Sequence, residues 1–512
     1  MPLKSDVMSC NHCPGPFGTP GPSRRTISRR HWITNVAGGM GAWALLSLLE
    51  RDGLAAELAP VISDPAAASP PLAAANPLAP KPPHFAAKAK SVIFLMMAGG
   101  PSQMESYDPK PVLNKLAGQK LPESFGKIPA QFTDVTKELL LGSRIDFKNC
   151  GQSGIPISDA FPHMHKHADK IAVIRSCYHD AFNHSPAQYV LTTGMSRLGY
   201  PSVGAWITYG LGSESQNLPA MVVMLEQDGK VKGGTPLWGN GFLPPIYQGS
   251  PVQTSGTPIL YVNRREDTTE EGQRKVLDLA QSLNRRHAQE VTAASRELDS
   301  RIAAYELAYR MQTAAPEATD ITKESEATKQ LYGMDNDTTR EFGTRCLIAR
   351  RLVERGVRFV QVISGSGDSK DWDHHDDVYT GTLRQAGKTD QPVAALLSDL
   401  ESRGLLDETL VVWTGEFGRT PTSQGGKGRD HNPNGYSMWM AGGGIQGGKI
   451  IGSTDELGLR AVEDKCHMHD IHATMLSLMG LDHRKLTYLF QGRQMRLTDV
   501  GGDNDLAKRL IA

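Results

Sequence analysis

The chain has 55 lysine and arginine residues against 55 aspartate and glutamate in 512 residues, so it carries no net charge at pH 7. Without a surplus of basic surface, nucleic acid is not an expected partner. A hydrophobic fraction of 39% with 21% charged residues suffices for a sizeable core and describes a globular chain, neither membrane-embedded nor natively unfolded.

Residues 1–90 differ from the rest. Arg24, Arg25, Arg29 and Arg30 precede a mostly apolar run over 33–49, too short and too rich in glycine and polar residues for a membrane span. Ser28-Arg29-Arg30-His31-Trp32-Ile33 resembles the twin-arginine export signal, in which a basic pair opens a weakly hydrophobic core. The expectation is a leader over 1–54 recognised by the twin-arginine export machinery, and a protein that works in the periplasm or elsewhere outside the cytoplasm. An uncleaved leader would serve as a membrane anchor. Residues 55–90 are rich in Ala, Pro, Ser and Leu without periodicity, which is linker composition. Cys10 and Cys13 lack the further ligands of a zinc knuckle. Cys150, Cys177, Cys346 and Cys466 are scattered, and spacing does not choose a pair for a disulfide.

A folded domain is expected over 91–512. Short, apolar, β-branched runs at 92–97, 171–175, 220–224, 357–363 and 409–414 alternate with helical patterns. That alternation predicts an α/β fold, a parallel-rich central sheet sandwiched by helices. A stretch of helical periodicity over 268–311 marks a helical insertion at about 265–315, lying on the sheet, capping the site, or serving self-association. In such folds ligands bind beyond the carboxyl ends of the strands, which directs attention to the loops.

After the second run, Ser185-Pro186 reads as an N-cap and first helical residue and Gly194 as the stop. His184 and Ser185 would then stand at a helix N-terminus, which favours anions. After the fourth run, the segment 371–377 offers a carboxylate and two imidazoles, a plausible metal-binding set. The last run delivers Glu416 and Arg419, and a glycine-rich loop then leads to Arg429 and His431. Each arginine suits an oxyanion clamp or, equally, a structural salt bridge. His467, His469 and His472 near a helix start read as structural or supporting residues, and His163, His165 and His167 as surface residues.

Taken together, Met97-Ala98-Gly99-Gly100-Pro101-Ser102, Asn183-His184, Trp372-Asp373-His374-His375, the segment from Gly415 to Pro421 and Gly428-Arg429-Asp430-His431 resemble a large family of exported bacterial proteins classed as a domain of unknown function. The resemblance runs from about Ser91 to the C-terminus. That family looks like a divergent branch of the alkaline-phosphatase and sulfatase superfamily, which implies an alkaline-phosphatase-like core with divalent metal at the strand ends. By that resemblance His184 falls at the position of the sulfatase nucleophile and Gln188 at that of its arginine. Asp373 and His375 resemble the paired metal ligands, Glu416 the late acidic ligand and His431 the last histidine ligand.

The departures are equally specific. Gly99-Gly100 replace the first acidic ligand, Phe417 replaces a histidine and the modified sulfatase cysteine is absent. The resemblance therefore implies one metal ion, Zn, Ca or Mn, held by Asp373, His375 and His431, with Glu416 as fourth ligand or base. His184 or Ser185 would act opposite, and Arg419 and Arg429 would stabilise the developing charge. The implied activity is hydrolysis of a phosphate or sulfate ester of an anionic small molecule or polysaccharide. The competing reading is a non-catalytic exported binding or scaffold protein, in which these residues need not converge.

Overall fold

The computed structural model describes residues 76–511 apart from 127–136, 227–228, 255–258, 260–261, 291–294, 500 and 504. The expected leader, its twin arginines, Cys10, Cys13 and most of the expected linker lie outside the described residues. The chain forms one large compact unit, Leu72–Arg264 with Leu277–Ala512, and a small one to which Arg265–Val276 belong. Within the small unit Lys275 pairs with Glu271 one turn earlier at 2.8 Å.

Among the described residues the large unit is built on a sheet of nine strands. In chain order they are β1 (Ser91–Met97), β2 (Ile171–Tyr178), β3 (Met221–Met224), β4 (Ser250–Pro251), β5 (Phe359–Ser364), β6 (Thr409–Thr414), β9 (Tyr436–Ala441), β10 (Lys449–Ile451) and β11 (Cys466–His467). A hairpin outside the sheet, β7 (Gly418–Gln424) and β8 (Gly428–Asn432), follows β6. Across the sheet the order is β10, β2, β9, β6, β1, β5, β3, β4, with β11 also on β2. Every pairing is parallel except those of β9, which runs antiparallel to both β2 and β6. All residues of β1, β3, β5 and β6 are buried, and a sheet buries both sides of its strands only when both faces are covered. The expected parallel-rich α/β architecture is therefore present.

The strand at 409–414, expected to be the last, is not. The chain returns through the hairpin and enters the sheet as β9, where Trp439 lies opposite Trp413 and the two indoles stack with centroids 6.2 Å apart. Each buried aromatic of this kind contributes about 1.5–3 kcal/mol, which helps hold the one antiparallel strand in register.

The helices used below are α1 (His184–Thr193), α2 (Val203–Leu211), α3 (Glu270–Glu290), α4 (Ser295–Thr319), α5 (Asp337–Glu354), α6 (Val378–Ser402) and α7 (Met468–Leu478). The expected helical insertion is thus two helices, α3 and α4. In α4 Leu307, Met311, Ala315 and Ala318 are buried, and the Arg351 guanidinium of α5 donates to the Ala318 carbonyl at 2.9 Å. Residues 76–90 lie along the large unit, with Leu78 and Ala89 buried and the Lys88 and Ala89 amides donating to the Leu478 carbonyl. The four cysteines of the domain are free and buried, and Cys177 of β2 is the register partner of Cys466 of β11. His167 departs from its expected surface position: it is buried, with Nε2 3.2 Å from the Ser398 hydroxyl.

Candidate metal centre

Three chain segments meet beyond the carboxyl ends of β1, β5 and β6. The first is the start of α1. Its N-cap is Asn183, whose side chain accepts from the His184 amide at 2.9 Å, and not Ser185. Asparagine caps as well as serine does, so the helix starts two residues earlier than the Ser-Pro pair suggests. It ends at Gly194 in the left-handed conformation, as expected. His184 becomes the first helical residue. Ser185 sits within the first turn, its hydroxyl donating to the Lys232 carbonyl at 3.1 Å.

The second segment is the loop after β5, carrying Asp373 and His375. It approaches β1 closely: a Cβ on Gly99, whose φ is +123°, would lie 2.5 Å from the Asp373 nitrogen. The third is the β7–β8 hairpin, where His431 faces Arg419. A Cβ on Gly428 would lie 1.6 Å from the His375 carbonyl oxygen, so the hairpin and the loop touch through bare backbone. Glycine at these two positions lets the segments converge.

The result is a cluster of His184, Asp373, His375 and His431, each with one ligand atom within 4.8 Å of the others. Asp373 Oδ1 lies 2.8 Å from His375 Nε2 and 3.1 Å from His431 Nε2. The two Nε2 atoms are 3.0 Å apart. His184 Nε2 lies 3.1 Å from Asp373 Oδ2 yet is buried without hydrogen-bond geometry.

What stands behind each ring fixes which nitrogen bears the proton. His431 Nδ1 is 2.9 Å from the Phe182 carbonyl, and His375 Nδ1 meets the Gln424 side-chain oxygen. His184 Nδ1 is 2.8 Å from Glu416 Oε1. All three partners are acceptors, so each Nδ1 donates, and in the neutral rings the Nε2 lone pairs turn inward. Carboxylate or carbonyl behind imidazole is the usual support of a metal-ligating histidine. An inward set of three lone pairs and a carboxylate fits a divalent cation.

The electrostatics agree with that reading. Burial works to raise the Asp373 carboxyl, but the three imidazoles at 2.8–3.1 Å and the Arg419 charge outweigh it and hold the pKa far below the usual range. Burial works to lower His184, yet the facing Asp373 and Glu416 carboxylates leave it raised. Glu416 stays ionised for the complementary reason: the His184 contacts and the Gly99 amide outweigh its burial. His431 is lowered by burial.

The other expected site residues are placed differently. Glu416 is fully buried and stands behind His184, also accepting from the Gly99 amide and from Gln188 Nε2, both at 3.0 Å. Arg419 is fully buried and donates to Asp373 Oδ1 at 2.7 Å and to the Gly100, Arg429 and Trp372 carbonyls. Arg429 pairs with Glu105 at 2.7 Å and donates to the Leu141 and Thr420 carbonyls. Both arginines are therefore structural donors within the loops, the salt-bridge alternative, because burial leaves their forks facing protein atoms. His374 is not in the cluster; its ring lies near Trp372 and against Gly381, where a Cβ would come within 2.3 Å.

Sequence reasoning missed three supports. Gln424 and Phe182 act through oxygens that no motif singles out. Lys232, on the loop after β3, brings its ammonium 3.6 Å from Asp373 Oδ2. His469 and His472 also lock this end of the fold, their Nε2 atoms meeting the Gly194 and Leu191 carbonyls at 2.7 and 2.8 Å.

Glu416→Gln is expected to weaken metal affinity by about 10–100-fold, the usual cost of removing a carboxylate behind a ligating histidine. Titration calorimetry with zinc checks this. Unchanged affinity would mean that Glu416 does not act through His184.

The family model described as "Protein of unknown function (DUF1501)" matches residues 89–509. No curated protein matches the chain in sequence. Among solved structures, the chain is similar to the lipoteichoic acid synthase LtaP from Listeria monocytogenes at 10% identity and a TM-score of 0.36, covering 82% of this chain and 78% of that one. It is similar to the PsFucS1 sulfatase from Pseudoalteromonas sp. at 13% identity and a TM-score of 0.33, covering 76% and 68%. It is also similar to an alkaline phosphatase from the Antarctic bacterium TAB5 at 10% identity and a TM-score of 0.33, covering 77% and 99%.

Proposed function

We propose that this chain, which belongs to the DUF1501 family of proteins of unknown function, is an exported metal-dependent hydrolase of a phosphate or sulfate ester. One observation carries the reading. The Nε2 atoms of His184, His375 and His431 converge with the Asp373 carboxylate, and each ring is backed by an acceptor. A scaffold that merely kept the fold would have no need to hold all four together. The export half rests on the motif at 28–33.

Three imidazoles with one carboxylate suit zinc or manganese better than calcium, which prefers oxygen donors. A divalent ion held by these four residues would polarise an ester oxygen and lower the pKa of water toward about 7. The chain supplies the rest. Glu416 accepts the Nδ1–H hydrogen bond of His184 and orients its ring, while the buried Arg419 fixes the Asp373 carboxylate through Oδ1. His184 serves as a ligand in this scheme, which differs from its expected place as nucleophile or acid-base. Ser185 anchors the Lys232 loop, so water is the nucleophile.

Elemental analysis of the purified protein, followed by aryl phosphate and aryl sulfate assays, tests the reading. Bound zinc or manganese with turnover is expected. Absence of metal and of turnover with both esters would sink it. Affinity also depends on pH. The His184 imidazole, held above its ordinary pKa by two carboxylates, must release a proton before its Nε2 lone pair is available. Metal affinity is therefore expected to rise with pH across neutrality, with proton release detectable in calorimetry with buffers of different ionisation enthalpy.

A further inference from the structure

An esterase for phosphate or sulfate needs a cation that can meet the oxyanion of its substrate. The two arginines expected in that role are occupied. The side chains of both Arg419 and Arg429 are 0% exposed, and both guanidinium groups are engaged by carbonyls and by Asp373 or Glu105.

Lys232 meets the requirement. Its side chain is 36% exposed, and its ammonium lies 3.6 Å from Asp373 Oδ2 and 3.8 Å from Asp368 Oδ1. Both separations exceed the 2.7–3.2 Å of a nitrogen-to-oxygen hydrogen bond, so the ammonium is steered by the acids without being committed to them. The backbone beneath it is fixed. The Lys232 amide donates to the Ser366 carbonyl at 3.0 Å, and its carbonyl accepts from the Ser185 hydroxyl at 3.1 Å. Gly233 follows, its amide donating to Gln188 Oε1 at 2.7 Å and its carbonyl accepting from Tyr189 at 3.1 Å. The loop is thereby stapled to the first turns of α1, the helix that carries His184. A partly exposed ammonium on a hydrogen-bonded backbone thus stands beside the four-residue cluster.

We infer that Lys232 is the residue that binds the anionic oxygen of the substrate, in place of Arg419 and Arg429. This rests on the hydrolase reading of the cluster. A lysine ammonium with three donors accepts a tetrahedral phosphate or sulfate from many directions, whereas a planar fork would favour bidentate capture.

The test uses zinc-loaded full-length protein and inorganic phosphate as the probe. Calorimetry gives the phosphate Kd for the wild type, Lys232→Ala and Lys232→Arg, with zinc content measured on each sample. The alanine variant is expected to keep its zinc and lose phosphate affinity by about tenfold or more, as for a lost charged hydrogen bond. The arginine variant is expected to recover most of it. Phosphate affinity unchanged in Lys232→Ala, with zinc and phosphate both bound by the wild type, overturns the assignment alone. Loss of zinc together with phosphate affinity in that variant also overturns it, because Lys232 would then serve only to balance Asp373. A wild type that binds no zinc overturns the hydrolase reading and this assignment with it.

Discussion

Replacing His375 by alanine is expected to abolish metal uptake and ester turnover while the fold stays intact. Of the four cluster residues His375 is the most exposed, its side chain 21% accessible against 4% for His184, 7% for Asp373 and 1% for His431. Removing it opens the rim of the site and leaves no sealed cavity. His184 and His431 are poorer probes, because each ring packs on Phe417, with centroids 5.1 and 4.3 Å away. Truncating either would add a packing cost of about 2–5 kcal/mol to the lost ligand. In the wild type a metal present at 100 times its Kd stabilises the folded state by about 2.7 kcal/mol. The His375→Ala variant should forfeit that increment, so zinc should raise the unfolding midpoint of the wild type and leave the variant unmoved. Turnover should fall by about a thousandfold or more, the scale on which losing a catalytic group acts. A variant that still binds zinc tightly would place the ion elsewhere and would remove the main support for the proposed function.

The parts of this fold that could be read from sequence are those whose environment is written in their own residues. Strands such as β1 and β6 are apolar throughout because both faces are buried, so Val92 to Met97 and Thr409 to Thr414 announce themselves. The hairpin of β7 and β8 does not. Its residues Gly418–Gln424 and Gly428–Asn432 are polar yet almost wholly buried, because their neighbours are loop carbonyls and ligands. The ligand types were legible as clusters of histidine and aspartate, but their selection was not. His374 and His375 are adjacent, and only the contact of Gly428 with the His375 backbone and of Gly381 with the His374 ring separates their roles. The start of α1 turned on Asn183, a cap as good as the serine two residues on. For arginines the difficulty is general: a guanidinium serves substrate or structure according to what surrounds it, and the surroundings of Arg419 come from separate segments, Gly100 lying 319 residues away in the chain and Asp373 46.

That dependence makes Arg419 the sharpest second test. Arg419→Ala is expected to destabilise the protein by about 3–5 kcal/mol, the cost of leaving one partner of a buried ion pair alone. The guanidinium joins three segments at once. It donates to the Gly100 carbonyl at 2.9 Å beyond β1, to the Trp372 carbonyl at 3.2 Å and to Asp373 at 2.7 Å in the loop after β5, and to the Arg429 carbonyl at 3.2 Å in β8. Alanine would strand these acceptors in a dry interior and leave Asp373 with one fewer counter-charge. Lysine cannot repair the loss, because one ammonium does not reproduce a planar fork reaching acceptors on three segments. Denaturant unfolding of wild type, Arg419→Ala and Arg419→Lys measures the effect, with zinc binding followed in parallel. Both variants should unfold at lower denaturant and bind zinc more weakly. A stable Arg419→Ala that keeps its zinc but loses phosphate would return this residue to the substrate. It would also move the oxyanion contact away from Lys232, so the two sites predict opposite patterns: stability and metal lost at Arg419, anion affinity alone lost at Lys232.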